Sequence, residues 1–185
     1  MDPNSVFKEL DNDQPAPGMS KIALIYGFIY AIVMNGATAA FISSSGNFGE
    51  KINQWLGIPL MIVAIILVQL AYRKACGGFM TYGKGLGIAV LMMFFASIVV
   101  GVFTYFLYST NPAILEQIRL IQEEALVNQG MSEEEIEFSL SFTEKLQTPA
   151  FYAFAALFSY TFMGLVVGAI TAIFTKRQSP QTIFE

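Results

Sequence analysis

The sequence contains no histidine and a single cysteine, Cys76. These absences remove a Cys/His zinc centre, a haem held by an imidazole, and histidine-based acid–base catalysis. One cysteine cannot close an intrachain disulfide, so the chain carries no signal about redox compartment. Cys76 precedes Gly77 and Gly78 and reads as a small loop residue. Charge is scarce too: Asp, Glu, Lys and Arg make up 13% of 185 residues, against roughly 25% in an ordinary soluble domain. With a net charge of -4 and a pI near 4.8, there is no basic excess. Phosphate backbones demand a basic surface, so a nucleic-acid partner is excluded.

The shortage of charge is concentrated in four places. Ile22 to Ile42, Leu56 to Tyr72, Leu86 to Tyr108 and Phe151 to Phe174 hold no Asp, Glu, Lys or Arg. The mean hydropathy of +0.56 averages these apolar runs with normally charged connections. That division is the pattern of an all-α integral membrane protein with four transmembrane helices, and it excludes a soluble enzyme. Proton relays, ion-coupled transport and voltage sensing rely on ionisable groups inside the spans, and these spans offer none.

The expected organisation is a polar tail over 1–20, transmembrane helices 1–3 over 21–110, an acidic amphipathic helical hairpin over 111–148, the fourth transmembrane helix over 149–177 and a short tail over 178–185. Ala37-Thr38-Ala39 fits a signal-cleavage rule. The preceding segment carries Asp2, Glu9, Asp11 and Asp13, however, where a signal peptide has a short basic start, so the first span reads as a retained helix. Ser43 to Gln54 reads as a short turn-rich loop, followed by Trp55 at an aromatic-belt position. The second apolar run covers only about 26 Å as a helix, so it should draw in Ile52 to Gln54, with Pro59 near its first turn. Arg73 to Gly85 is a basic loop. Its end, Gly83-Lys84-Gly85-Leu86-Gly87, lacks the spacing and the preceding strand of a phosphate loop, and reads as close packing or a turn.

Asn111-Pro112 should end the third span and start a helix, with Ile114, Ile118, Ile121 and Ala125 as its apolar positions. Gly130 is placed to terminate that helix. Ser132 with Glu135 makes a capping box for a second helix, carrying Ile136 and Leu140 and then Phe138, Phe142 and Leu146, and Thr148-Pro149 stops it. Glu133, Glu134, Glu135 and Glu137 form a candidate partner surface. They sit in or beside a first turn, where the macrodipole favours negative charge, so a solvated acidic face is preferred over a divalent-cation site. Carboxylate pairs occur only here, on a water-facing helix with no recognisable pocket. No catalytic, cofactor-binding or metal residue is assigned, and no cofactor is expected.

Within the spans the most polar residues are Asn35, Thr38, Gln69, Ser97, Thr104, Ser159, Thr161 and Thr171. Hydroxyls can bond back to the preceding turn of their own helix. Asn35, near the middle of its span, cannot satisfy its whole amide that way, so it is the expected helix-to-helix hydrogen bond, a ligand or pore contact being the alternative. Gly164, Gly168 and Ala172 recur every four residues on one face of the fourth span, as Gly27, Ala31 and Asn35 do on the first. Both faces suit close helix packing.

Several of these marks together resemble a known family. They are Tyr82-Gly83-Lys84 before the third span, Asn111-Pro112 after it, Gly130 with Ser132-Glu133-Glu134-Glu135-Ile136, Thr148-Pro149, the glycine-containing fourth span and Lys176-Arg177. In that order they resemble an uncharacterised bacterial four-helix membrane-protein family, domain of unknown function 4199, typical of Bacteroidetes, over roughly Lys21 to Arg177. The resemblance implies a bacterial inner membrane and carries over no catalytic or binding residue. It associates the chain with membrane-acting glycosyltransferases as candidate partners. The acidic tail before Ser20 departs from the family.

The functional expectation is a non-catalytic accessory or scaffold subunit that binds the bilayer and another membrane protein or itself. The alternative is a small uncharged-pore channel or transporter acting as an oligomer. Lys8, Lys21, Arg73, Lys74, Lys84, Lys176 and Arg177 fall on one side of a four-span chain, and Lys51, Arg119 and Lys145 on the other. Basic residues are retained in the cytoplasm, so both termini should be inside and the hairpin outside.

Overall fold

In the computed structural model, residues 18–43, 48–144 and 147–177 are described. They form six helices: α1 Met19–Ser43, α2 Phe48–Ala75, α3 Tyr82–Thr110, α4 Pro112–Asn128, α5 Glu133–Glu144 and α6 Pro149–Thr175. Among the described residues there is no strand, only an isolated antiparallel bridge between Met80 and Arg177. Helices α1, α2, α3 and α6 contain 25, 28, 29 and 27 residues. At about 1.5 Å per residue each exceeds the ~30 Å hydrocarbon core of a bilayer. All four contain a stretch long and apolar enough to cross a membrane.

Local chemistry sets the breaks. Asn111 leaves helical geometry at φ -128°, and Pro112 opens α4 without needing an amide hydrogen. Thr148 caps α6, its hydroxyl accepting from the Phe151 amide at 3.2 Å, with Pro149 in the first turn. Gly77 and Gly78 take φ of 68° and 90°, and the Gly78 amide donates back to the Arg73 carbonyl at 2.9 Å, closing α2 as side-chain-bearing residues rarely can.

Two boundaries differ from the sequence reading. Helix α2 begins at Phe48, inside the stretch read as a loop, so Pro59 lies in the helix interior. Glu50, Lys51 and Gln54 are good helix formers, and a drop in hydropathy marks the membrane surface rather than the end of a helix. The basic connection also shortens, because α2 runs to Ala75 and α3 starts at Tyr82. Of the expected tails over 1–20 and 178–185, residues 1–17 and 178–185 lie outside the described residues, as does Leu146, and Met19 and Ser20 belong to α1.

Helix α3 is the centre of the bundle. Its buried face runs Gly85, Ile88, Ala89, Met92, Met93, Ala96, Ser97, Val100 and Gly101, one continuous stripe at helical spacing. It packs most extensively on α6 and then on α1, while α2 touches α1, α3 and α6. Outward positions are equally apolar: Phe154, Phe158, Phe162 and Phe174 on α6 and Phe28 and Ile32 on α1 are all exposed. A soluble protein would not present such a surface, and a bilayer covers it. Helices α4 and α5 pack on each other, and among the described residues only α4 also touches a span, α3.

Candidate functional site

Three glycines open the seams around α3. A Cβ added at Gly168 would stand 2.6 Å from the Ala89 Cβ, and one at Gly164 would stand 2.6 Å from the Met93 Cβ. One at Gly27 would stand 2.5 Å from the Met92 carbonyl oxygen. Real side-chain atoms do not come so close, so these positions admit only hydrogen, and the backbones of α1 and α6 gain dispersion contact with α3 along them. Ala31 and Ala172 are wholly buried beside them, and Ala172 faces Gly85.

Across one end of these seams lies a buried amide. The Gln69 side chain is fully buried, and its Nε2 donates to the carbonyls of Gly85 at 3.1 Å on α3 and Gly168 at 3.3 Å on α6. Its Oε1 accepts from the Thr175 hydroxyl at 2.9 Å. One α2 side chain thus joins three helices with both amide hydrogens and its oxygen used, leaving no orphaned polar atom in apolar surroundings. One turn further along α2, Arg73 Nη1 donates to the Thr175 carbonyl at 3.1 Å and satisfies a free acceptor at the end of α6.

Asn35 does not fill the role expected of it. It is half-buried, and its amide makes no hydrogen bond among the described residues, so the interhelical amide is that of Gln69. The difference is one of face: Met61, Ile65, Val68, Gln69 and Tyr72 form the buried stripe of α2. That spacing was the available signal, masked because the neighbouring lipid-facing residues are apolar as well. The hydroxyls follow the local pattern: Thr38, Ser97, Thr161 and Thr171 donate to carbonyls three or four residues back.

In the α4–α5 pair the capping box is formed. The Glu135 carboxylate accepts from the Ser132 amide and hydroxyl, each at 2.9 Å, and the Glu135 amide approaches the Ser132 hydroxyl oxygen at 3.4 Å. These bonds favour the ionised form and hold the Glu135 pKa below its ordinary 4.5. Gly130 at φ 77° turns the chain, and Gln147 donates to Gln122 at 2.6 Å across the pair. The apolar positions divide. Ile136 and Leu140 are buried, whereas Phe138 and Phe142 are 75% and 65% exposed. On α4 the inward stripe is Ile114, Ile118, Gln122 and Leu126, while Ile121 and Ala125 point out. Glu133, Glu134, Glu135 and Glu137 are all exposed.

A cleft of about 520 Å³ lies between these helices, lined by Arg119, Glu123, Glu133, Ile136, Glu137 and Leu140 among others. No pocket near the carboxylates is legible in the sequence; two helices meeting at a turn create one. Among the described residues no three carboxylate or thiol side chains converge as metal ligands would. A second groove, about 320 Å³, runs between α3 and α6 past Ser97, Gly101, Tyr105, Phe106, Ala153 and Leu157, and offers hydrocarbon surface with no titratable acid or base except the Tyr105 phenol.

Four apolar helices around a glycine-seamed centre, tied by a satisfied amide, define a multi-pass helical integral membrane protein. The chain belongs to the family described as protein of unknown function (DUF4199), which matches residues 21–177. Neither a curated protein nor a solved structure matches it.

Proposed function

We propose that this protein is a non-catalytic accessory or scaffold subunit of the bacterial inner membrane, with both termini cytoplasmic and the α4–α5 hairpin outside, that binds another membrane protein. The observation that carries this reading is the outer face of α5. Phe138 and Phe142 stand exposed one turn apart, flanked by Glu134 and Glu135, while Glu133 and Glu137 edge the cleft toward α4. An exposed aromatic pair bordered by carboxylates has the composition of a contact patch, with an apolar centre and a polar edge. The span interiors support it by what they are made of. Among the described residues their polar groups are Ser and Thr hydroxyls, several bonded back along their own helices, the Gln69 amide, the half-buried Asn35 and buried phenols such as Tyr30 and Tyr72, with no carboxylate, imidazole or amine in the apolar runs.

Pull-down of the full-length protein from native membranes, with mass spectrometry, tests this reading. One membrane partner should be enriched reproducibly and lost with Phe138→Ser/Phe142→Ser. Purification as a lone species, together with solute flux in liposomes that Asn35→Ala abolishes, would replace it with the oligomeric channel.

A further inference from the structure

Six cations collect at one end of the bundle from four separated stretches of chain: Lys21 on α1, Arg73 and Lys74 on α2, Lys84 on α3, and Lys176 and Arg177 after α6. All are exposed except Arg73, which is half-buried. Among the described residues none of them forms an ion pair, and no acidic residue lies at this end. Positive charge near a membrane end is common in any cytoplasmic loop. What is specific here is that tertiary bonds hold the charges together. Arg73 is fixed to α6 through the Thr175 carbonyl at 3.1 Å. Arg177 is fixed to the α2–α3 connection by a reciprocal pair of backbone bonds with Met80, 2.8 and 2.9 Å long. Its guanidinium stands 6.0 Å from the centre of the Phe79 ring, a cation–π distance that restrains the side chain. Lys84 lies in the first turn of α3, close in sequence to Met80.

We infer that this end of the bundle binds the phosphate of an anionic phospholipid headgroup, with Arg73, Lys176 and Arg177 as the principal contacts. The guanidinium of Arg73 has five N–H donors and spends one on Thr175, which leaves donors for a phosphate oxygen. Depth agrees with a lipid source. The cations cap helices whose next turns are apolar, and the exposed rings of Phe79 and Tyr82 beside them are of the kind that settles at the headgroup level. A headgroup arriving there leaves its acyl chains along the apolar outer surface of the spans, whereas a free phosphate has nothing to gain from that surface.

The test is native mass spectrometry of the full-length chain in neutral detergent at physiological salt, titrated with dioctanoyl phosphatidylglycerol, dioctanoyl phosphatidylcholine or inorganic phosphate. Phosphatidylglycerol should bind in preference to phosphatidylcholine, and inorganic phosphate should not compete. The exposed double substitution Lys176→Gln/Arg177→Gln should weaken binding by about five-fold per charge removed, while Lys176→Arg/Arg177→Lys should retain it. Equal binding of the two lipids, or undiminished affinity in a glutamine variant that melts like the parent, would overturn the site. Comparable binding of inorganic phosphate would overturn the lipid as its source.

Discussion

Glycine carries the packing at single positions, and the clearance at each one decides what a methyl group would do there. Gly164→Ala and Gly168→Ala each force a Cβ to 2.6 Å from a Cβ on α3, neither of which is the end of a flexible chain. Each should cost about 1–3 kcal/mol, the usual range for overpacking, read as a lowered melting temperature in detergent. Gly36→Ala is the matched control. It lies on α1 with nothing within 4 Å of the added methyl, so its melting temperature should not fall. Gln69→Leu removes three hydrogen bonds at nearly constant volume, but interhelical bonds in membranes average only about 0.6 kcal/mol, with a maximum near 1.7. Three such bonds come to about 2 kcal/mol, so the leucine variant should stay folded and lose about as much as a glycine variant. A larger loss for Gln69→Leu would show that the amide, not close packing, holds α2 in place.

At the level of the element, α5 is short, 12 residues, and marginal without help at its start. The capping box supplies that help and makes it dependent on pH. The folded Glu135 pKa lies below 4.5 because Ser132 donates two bonds to the carboxylate, so the contribution is fully present above 4.5 and is lost as pH falls through the depressed value. Protection against amide hydrogen exchange at Glu135 and Ile136, taken relative to the intrinsic rate at each pH, should fall on acidification through that range; Glu135→Gln should abolish the dependence, whereas Ser132→Ala, which keeps the amide at 132, should only reduce it. At neutral pH the alanine variant should exchange about five-fold faster there, the equivalent of a ~1 kcal/mol cap. The capping box was legible in Ser132 and Glu135 because it is set by neighbours three residues apart. The division of the apolar positions was not: Phe138 and Phe142 follow the same spacing as Ile136 and Leu140, and only the position of α4 decides which pair is covered.

For the molecule as a whole, the alternation of four spans places the α4–α5 pair and the basic end on opposite sides. Retention of Lys and Arg in the cytoplasm then predicts the orientation. With Cys76 replaced by alanine, a cysteine introduced at the exposed Ser132 should react with a membrane-impermeant thiol reagent in cells whose outer membrane alone has been permeabilised. Reaction only after the inner membrane is opened would invert the assignment. Anionic lipid at the basic end fits the same orientation, since it would hold that face against the inner leaflet.

The number of spans, the breaks at Asn111-Pro112 and Thr148-Pro149, the turn at Gly130 and the cap at Ser132 can all be read from the chain without its fold. Each follows from chain-local physics: hydropathy over about twenty residues, a missing amide hydrogen, a left-handed φ, or a hydroxyl within reach of the next turn. Tertiary structure alone decided that α3 is the centre, that Gln69 rather than Asn35 bridges the helices, and that Arg73, Lys176 and Arg177 share one end through bonds to Thr175 and Met80. The reason is the solvent. In water, a helix's inward face is betrayed by polar residues on its other side; in a bilayer both faces are apolar, and small clearances and single hydrogen bonds choose between them.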